Sequence, residues 1–382
     1  MLHLRNLIAV NTSIFMIMCG LGVCFTYLPL KMTQLSGSLS EAGFLASAFG
    51  FAYILSQYPI GRLADRFGFK PIILSGFLLS SVSGLIYYYA STPLYLIVGR
   101  VIQGIGEAPL WSLSPVLLAL NYPGNKAKVM GWYTALFHFG LTVGPILATP
   151  IADLYGAEMT FIFYAGASAT GGLAILLTKH TSADQNSENS SGKSLAEIIR
   201  SLSKLVLSGI TLYGACYGLI VSIIPAYLLI QKNLEHSIVN TAFSMSFFTI
   251  GVVQIMSGRF VKKDNMIRVM ILALLCLGSG LAVIVVGNGY FLIAGLLTLM
   301  AGLGLFSISS MLYINEKSEA GNAGAASGVY FTFWGIGYFA VPLFMGLIGS
   351  IQLTEQMMYI LALVILFVSF CLVRDFKPLF TR

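Results

Sequence analysis

Charge is what this sequence has least of: 9% of its 382 residues are charged, where a soluble domain carries about 25%. Water is therefore excluded as the solvent for most of its surface. Cysteine is scarce too, and Cys19, Cys24, Cys216, Cys276 and Cys371 all lie inside apolar runs without metal-ligand spacing. They read as small core residues, with no disulfide and no metal expected. The sequence has no Walker-type phosphate loop, no Gly-x-Ser-x-Gly elbow and no extramembrane domain of useful size. ATP-driven transport and membrane-enzyme chemistry thus lack their parts, and neither a catalytic residue nor a cofactor is expected.

What is present in abundance is apolar sequence, 57% of the chain. It falls into stretches of about 18–24 residues, each long enough to cross a ~30 Å hydrocarbon core as a helix. The first half holds spans at 7–28, 42–60, 72–90, 94–118, 129–149 and 159–178. The second holds 205–230, 238–258, 268–287, 290–312, 325–348 and 356–373. The first run is longer than a signal-peptide core and lacks a small-residue cleavage pattern, so it is expected to be span 1. The fold class expected is an all-α membrane protein of twelve transmembrane helices. The expected domains are a six-helix bundle over 1–178, a linker over 179–204 and a second six-helix bundle over 205–382. The linker is polar and rich in Ser and Asn, and its Ser194–Glu197 end has a capping-box pattern before span 7.

The net charge of +7 invites a nucleic-acid partner, but the basic residues follow topology instead. With the N-terminus inside, the cytoplasmic segments hold Arg5, Arg62, Arg66, Lys70, Lys126, Lys128, Lys179, Lys193, Arg200, Lys204, Arg259, Lys262, Lys263, Arg268, Lys317, Arg374, Lys377 and Arg382. That is 18 of the 21 basic residues; Lys31 and Lys232 fall outside and Arg100 is within a span. The positive-inside rule then puts both termini in the cytoplasm and the protein in the plasma membrane, the inner membrane in a Gram-negative bacterium.

The second half repeats the first at an offset of 196–198 residues. Gly22 and Pro29 return as Gly218 and Pro225, and Gln57, Gly61 and Arg62 as Gln254, Gly258 and Arg259. Gly104 and Gly106 return as Gly302 and Gly304; Gly131, Tyr133, Gly140 and Pro145 as Gly328, Tyr330, Gly337 and Pro342. A six-span unit brings the chain back to its starting side, so the copies are parallel repeats, an arrangement expected to place a substrate site between them near the midplane.

Between spans 2 and 3 the chain reads Gly61-Arg62-Leu-Ala-Asp65-Arg66-Phe-Gly68-Phe-Lys70. Two glycines permit a tight turn and close helix approach, and Asp65 is placed to accept from N–H groups at a helix N-terminus. Span 4 carries Arg100-Val-Ile-Gln103-Gly104-Ile-Gly106-Glu107, and span 5 carries Gly131, Gly140, Gly144 and Pro145. The first pattern resembles the loop signature of the major facilitator superfamily, the second its span-4 signature and the third its antiporter signature. The resemblance covers essentially the whole chain and implies the major facilitator fold. It further implies a gating latch at Asp65 and outward transport exchanged against protons. The copy in the second half has Lys262 where Asp65 would be, so the latch is expected on one side only. The bland alternatives are a solvated charge cluster for the loop and ordinary small-residue packing for span 5.

Arg100, Gly104, Glu107 and Trp111 fall on one helix stripe, with Arg100 about 10 Å along the axis from Glu107. A carboxylate near mid-bilayer costs at least ~2.5–3.5 kcal/mol, which marks Glu107 as functional by default. The expected proton-coupling residues are Glu107, its modulator Arg100, and His138, the histidine inside a span. A structural Arg100–Glu107 ion pair and a merely hydrogen-bonded His138 stay open. Tyr27, Gln103, Trp111, Tyr213, Tyr217 and Trp334 are candidate cavity residues. The leading expectation is a proton-coupled exporter of a small organic or amphipathic compound, acting as a monomer. Its partners would be that substrate, protons and the bilayer. An uptake symporter or uniporter is the rival within the class. A non-transporting sensor is the rival outside it, and would be expected to carry a signalling tail where about nine residues follow span 12.

Overall fold

The computed structural model describes residues 2–122, 126–178, 199–200, 202–317, 323–348 and 350–376. Every regular element among them is a helix. In chain order these are α1 (Leu2–Cys24), α2 (Tyr27–Ser36), α3 (Gly43–Phe67), α4 (Phe69–Tyr89), α5 (Pro93–Asn121), α6 (Lys126–Tyr155) and α7 (Met159–Leu176). Then follow α8 (Lys204–Val221), α9 (Ile223–Ile230), α10 (His236–Phe260), α11 (Met266–Val286), α12 (Tyr290–Lys317), α13 (Ala323–Ile348) and α14 (Ile351–Asp375). Ten stretches among the described residues are long and apolar enough to cross a membrane. Two further long helices, α3 with 25 residues and α5 with 29, interleave with them. In α5 the stripe of Arg100, Gln103 and Glu107 dilutes the hydropathy, so a criterion built on apolarity passes over the helix that carries the chemistry. Most of the expected 179–204 linker, with its capping-box pattern, lies outside the described residues.

Two spans expected to be continuous are broken. Span 1 is α1 and α2, separated at Phe25–Thr26; span 7 is α8 and α9, separated at Ser222. The cause is in the sequence. Pro29 and Pro225 have no N–H to give to the carbonyl four residues back, which is that of Phe25 in one and Val221 in the other.

By packing, the chain forms two compact units. One is residues 1–187 with 221–248; the other is 188–220 with 249–382. In the first, α1 packs along α6 and α7, while α5 is flanked by α3 and α4. The α1–α6 seam is close because it is built of glycine. A Cβ on Gly144 would stand 2.5 Å from Gly22 Cα, and one on Gly22 would meet Pro145 Cδ at 2.9 Å. The second unit repeats the device between α8 and α13: a Cβ on Gly218 would meet Pro342 Cγ at 2.8 Å and Tyr338 O at 2.7 Å. In each half the proline frees a carbonyl four residues earlier, and the opposed glycine lets the neighbouring backbone come up against it.

The repeat changes register in its fourth span. Gly104 faces α3 and Gly106 faces α4, but it is Gly304 that faces α10, the counterpart of α3, while Gly302 faces α11. The glycine that stands in the place of Gly106 is therefore Gly302, set against Ala273 O and Leu277 N as Gly106 is against Gly76 O and Ser80 N, so the pairing of Gly104 with Gly302 read from the sequence is two residues out of step with the packing.

Candidate functional site

The span-4 stripe lands where four helices meet. Glu107 is fully buried, and it is the one buried carboxylate among the described residues. Its Oε1 accepts from Gln103 Nε2 at 2.7 Å and from the Tyr164 hydroxyl of α7 at 2.8 Å. Its Oε2 is buried without a hydrogen-bond partner. Gln103 is fully buried in turn; its Oε1 accepts from Arg100 Nη1 at 3.1 Å and from the Tyr87 hydroxyl of α4 at 2.5 Å. Arg100, 4% exposed, also donates from Nη2 to Val221 O at 3.4 Å, the carbonyl that Pro225 leaves without an intrahelical donor. Gln103 thus bridges the two charges expected to lie about 10 Å apart along the helix, and buried polar groups of this kind persist only when bonded.

The other site residues are distributed. His138 is buried, but its Nδ1 is 2.9 Å from Thr134 O of its own helix, and no described bond joins it to the Glu107 network. Trp111 packs with Phe49, Tyr53 and Phe137 at centroid distances of 5.3–5.7 Å. Tyr27 stacks on His236 at 4.9 Å with ring planes 5° apart. In the second unit Tyr213, Tyr217 and Trp334 form one aromatic group, with centroids 5.3 Å and 6.1 Å apart along that order. Gly140 and Gly144 face α1: a Cβ on Gly140 would meet Met18 Cβ and Phe15 O, each at 2.7 Å.

The expected gating loop is mostly helix. Gly61 to Arg66 belong to α3, and the joint to α4 is Gly68 alone, held at φ 84°, where a side chain would be strained. Lys70 reaches across to the end of α7, donating to Leu176 O at 2.8 Å and to Thr178 O. Those carbonyls have no donor within their helix, and a cation suits the negative end of the dipole. Gly131 lies in α6, and the surroundings of Gly61 and Gly131 and the side chains of Arg62 and Asp65 lie outside what the structure describes.

Two residues of the network, Tyr87 and Tyr164, were not singled out in the sequence. Their only signal is a hydroxyl inside an apolar span, and that signal is shared with many tyrosines here. What selects them is contact between helices 16 and 57 residues apart in the chain. Lys31 is a third. Assigned to the outside by charge, it is 8% exposed and donates to Tyr87 O at 2.8 Å, Tyr88 O at 3.2 Å and Glu158 Oε2 at 2.7 Å.

Comparison with known proteins adds independent findings. The chain is 25% identical to the quinolone resistance protein NorA of Staphylococcus aureus over 364 residues, 91% of each protein. It is 28% identical over 160 residues to an uncharacterized MFS-type transporter of Methanocaldococcus jannaschii, where the match spans 42% of that protein's length. The crystal structure of the nucleoside transporter NupG superposes with a TM-score of 0.80 at 16% identity, covering 97% of this chain and 99% of that one. At that identity the likeness is one of fold. The model of the Major Facilitator Superfamily matches residues 10–342, so the chain is a multi-pass membrane transporter that belongs to this superfamily.

Proposed function

We propose that this transporter is a proton-coupled exporter of a small organic or amphipathic compound, working by alternating access with Glu107 as the coupling-proton site. The observation that carries the reading is the state of the Glu107 carboxyl: fully buried, saturated at Oε1 and unpartnered at Oε2. A carboxylate out of water holds a proton more readily, and an approaching cation favours its release. With two donors fixed on Oε1, Oε2 is the oxygen that takes the proton. Arg100 is the cation whose approach expels it. The resistance function in the name of the Staphylococcus aureus relative supports export, as do Gly140, Gly144 and Pro145 of the antiporter-like span. His138 is a secondary candidate for proton transfer, and Asp65, Arg66 and Gly68 remain the proposed gate joint. Tyr27, Trp111, Tyr213, Tyr217 and Trp334 are candidate substrate contacts.

The test replaces Glu107 with Gln, which mimics the protonated form, in proteoliposomes loaded with a fluorescent cationic dye. Dye export driven by an imposed pH gradient is expected to collapse while dye exchange without a gradient survives. Uphill export at the wild-type rate would leave Glu107 structural.

The reading takes 1–178 and 205–382 as the two repeat halves, with the termini and the 179–204 linker in the cytoplasm of a plasma-membrane monomer. An impermeant thiol reagent applied outside intact cells, in a cysteine-free background, should label Ser350→Cys and not Ser187→Cys. The opposite pattern would reverse the topology.

A further inference from the structure

We propose that Gln103 is a positioning residue that carries the state of Arg100, and through it the contact with Val221 O, to the proton site on Glu107. This rests on the reading of Glu107 as that site.

The geometry is a relay through one amide. Arg100 and Tyr87 both donate to Gln103 Oε1, at 3.1 Å and 2.5 Å. Gln103 Nε2 donates to Glu107 Oε1 at 2.7 Å. Two donors on the oxygen of an amide draw electron density from its nitrogen and strengthen the N–H donated onward. A donor held on a carboxylate favours the charged form. The amide cannot be turned over, because its nitrogen would then face the Arg100 guanidinium, which only donates, and its oxygen would face the carboxylate oxygen. Gln103 is thus locked in the one orientation that stabilises ionised Glu107.

The far end of the relay touches a helix break. Val221 closes α8, and Pro225 leaves its carbonyl without an intrahelical donor, so Arg100 Nη2 takes it at 3.4 Å. Movement of the 221–248 segment, which packs with the first unit, would free Arg100 or hold it. Gln103 converts that difference into a different grip on the carboxylate. The other ionisable groups around Glu107 are Tyr164 of α7, already bonded to Oε1, Tyr53 of α3 and Cys24 at the end of α1. From α6, Tyr133 donates to Leu110 O and His138 is bonded to Thr134 O. Of these Cys24 alone lies near both Arg100 and Glu107, and its thiol is bonded to Leu21 O.

The experiment needs no transported compound. Reconstituted protein is titrated while the infrared carbonyl stretch of protonated carboxyl groups is recorded, and the Glu107 band is identified by its loss in Glu107→Gln. If no titrating band is lost in that variant, the proton-site reading fails, whatever Gln103 does. If the band is present, Gln103→Met should move its midpoint to higher pH, with proton affinity rising about tenfold. Arg100→Met should move it the same way, and the double variant no further than the larger single change. Tyr87→Phe, which keeps the volume and removes one donor to Gln103, should give a smaller shift in the same direction and serves if Gln103→Met does not fold. An unmoved midpoint in the Gln103 and Tyr87 variants overturns the relay. Shifts that add in the double variant also overturn it, because Arg100 would then act on Glu107 directly.

Discussion

The two halves share a scaffold and differ in what their fourth spans contain. Matching Gly106 to Gly302, the glycines that meet equivalent backbone atoms of α4 and α11, puts Leu296, Leu299 and Leu303 where the first half has Arg100, Gln103 and Glu107. All three leucines are fully buried. The glycine–proline seams, by contrast, are kept in both. Packing devices were preserved across the repeat while ionisable chemistry was concentrated in one copy. The fold therefore needs the glycines twice and the charged network once.

The largest expected effect tests that asymmetry. Glu107→Gln should cut gradient-driven export on the order of a hundredfold, while Leu303→Met at the matched position stays within about twofold. Parallel assays of dye export decide it. Equal losses would mean that both fourth spans couple, and the comparison would break.

The next effect tests the sameness. Gly22→Val and Gly218→Val each force a branched side chain into a seam that has no room for a Cβ, against Pro145 and Pro342 respectively. Overpacking of this kind costs about 1–3 kcal/mol, and the two variants should lose thermal stability by similar amounts in a detergent-solubilised unfolding scan. A loss confined to one of them would show that the seams only look alike.

Much of this was legible in the chain because it rests on local rules. Span positions follow from apolar length. From α3 to α14, once the broken seventh span is allowed for, most limits fall within about three residues of the expected ones, while α3, α6, α12 and α14 overrun theirs by five to seven residues at one end. The Arg100–Glu107 stripe follows from helical periodicity. The two breaks were written in Pro29 and Pro225, which were visible as a repeated pair, but a proline near the middle of a span can bend a helix or break it. The partners of Glu107 were not legible. Tyr87 and Tyr164 join it only because α4 and α7 pack beside α5, and no spacing within one helix encodes that. The register slip at Gly302 was hidden for a similar reason: two glycines two residues apart match either way in sequence, and only the helices they face choose between them.

Lys31 sharpens the comparison at the other end of the first half. Its buried ammonium closes the end of α4 by donating to Tyr87 O and Tyr88 O, and it pairs with Glu158, whose side chain is 51% exposed. At the matched position, offset by 196 as for Pro29 and Pro225, the second half has Tyr227. Lys31→Met should lower stability by about 1–3 kcal/mol, because it strands carbonyls that have no donor in their own helix. Glu158→Gln should change it by no more than about 1 kcal/mol, as expected for a pair half open to water. A thermal scan in which Glu158→Gln is the more damaging would make the ion pair, and not the capping of α4, the reason Lys31 is there.

The smallest effect belongs to the second half's own joint, between α10 and α11. Where the first half ties its joint with Lys70 on the carbonyls of α7, this one has Lys263 bonded to Glu316 at 2.8 Å, with the lysine side chain 71% exposed. The hydrogen bond and charge of Glu316 hold the Lys263 proton more tightly than the ordinary lysine value of 10.5. A raised value in the folded state means the pair's contribution is fully present below the ordinary lysine range and is lost as pH rises through the raised value. Exposure and salt screening keep that contribution small. Lys263→Gln should leave the unfolding temperature unchanged at physiological salt and lower it slightly at low salt, and the difference should disappear at alkaline pH above the lysine range. A marked loss that survives high salt would give the second joint a structural role equal to that of Lys70, and the contrast between the halves would shrink to their fourth spans.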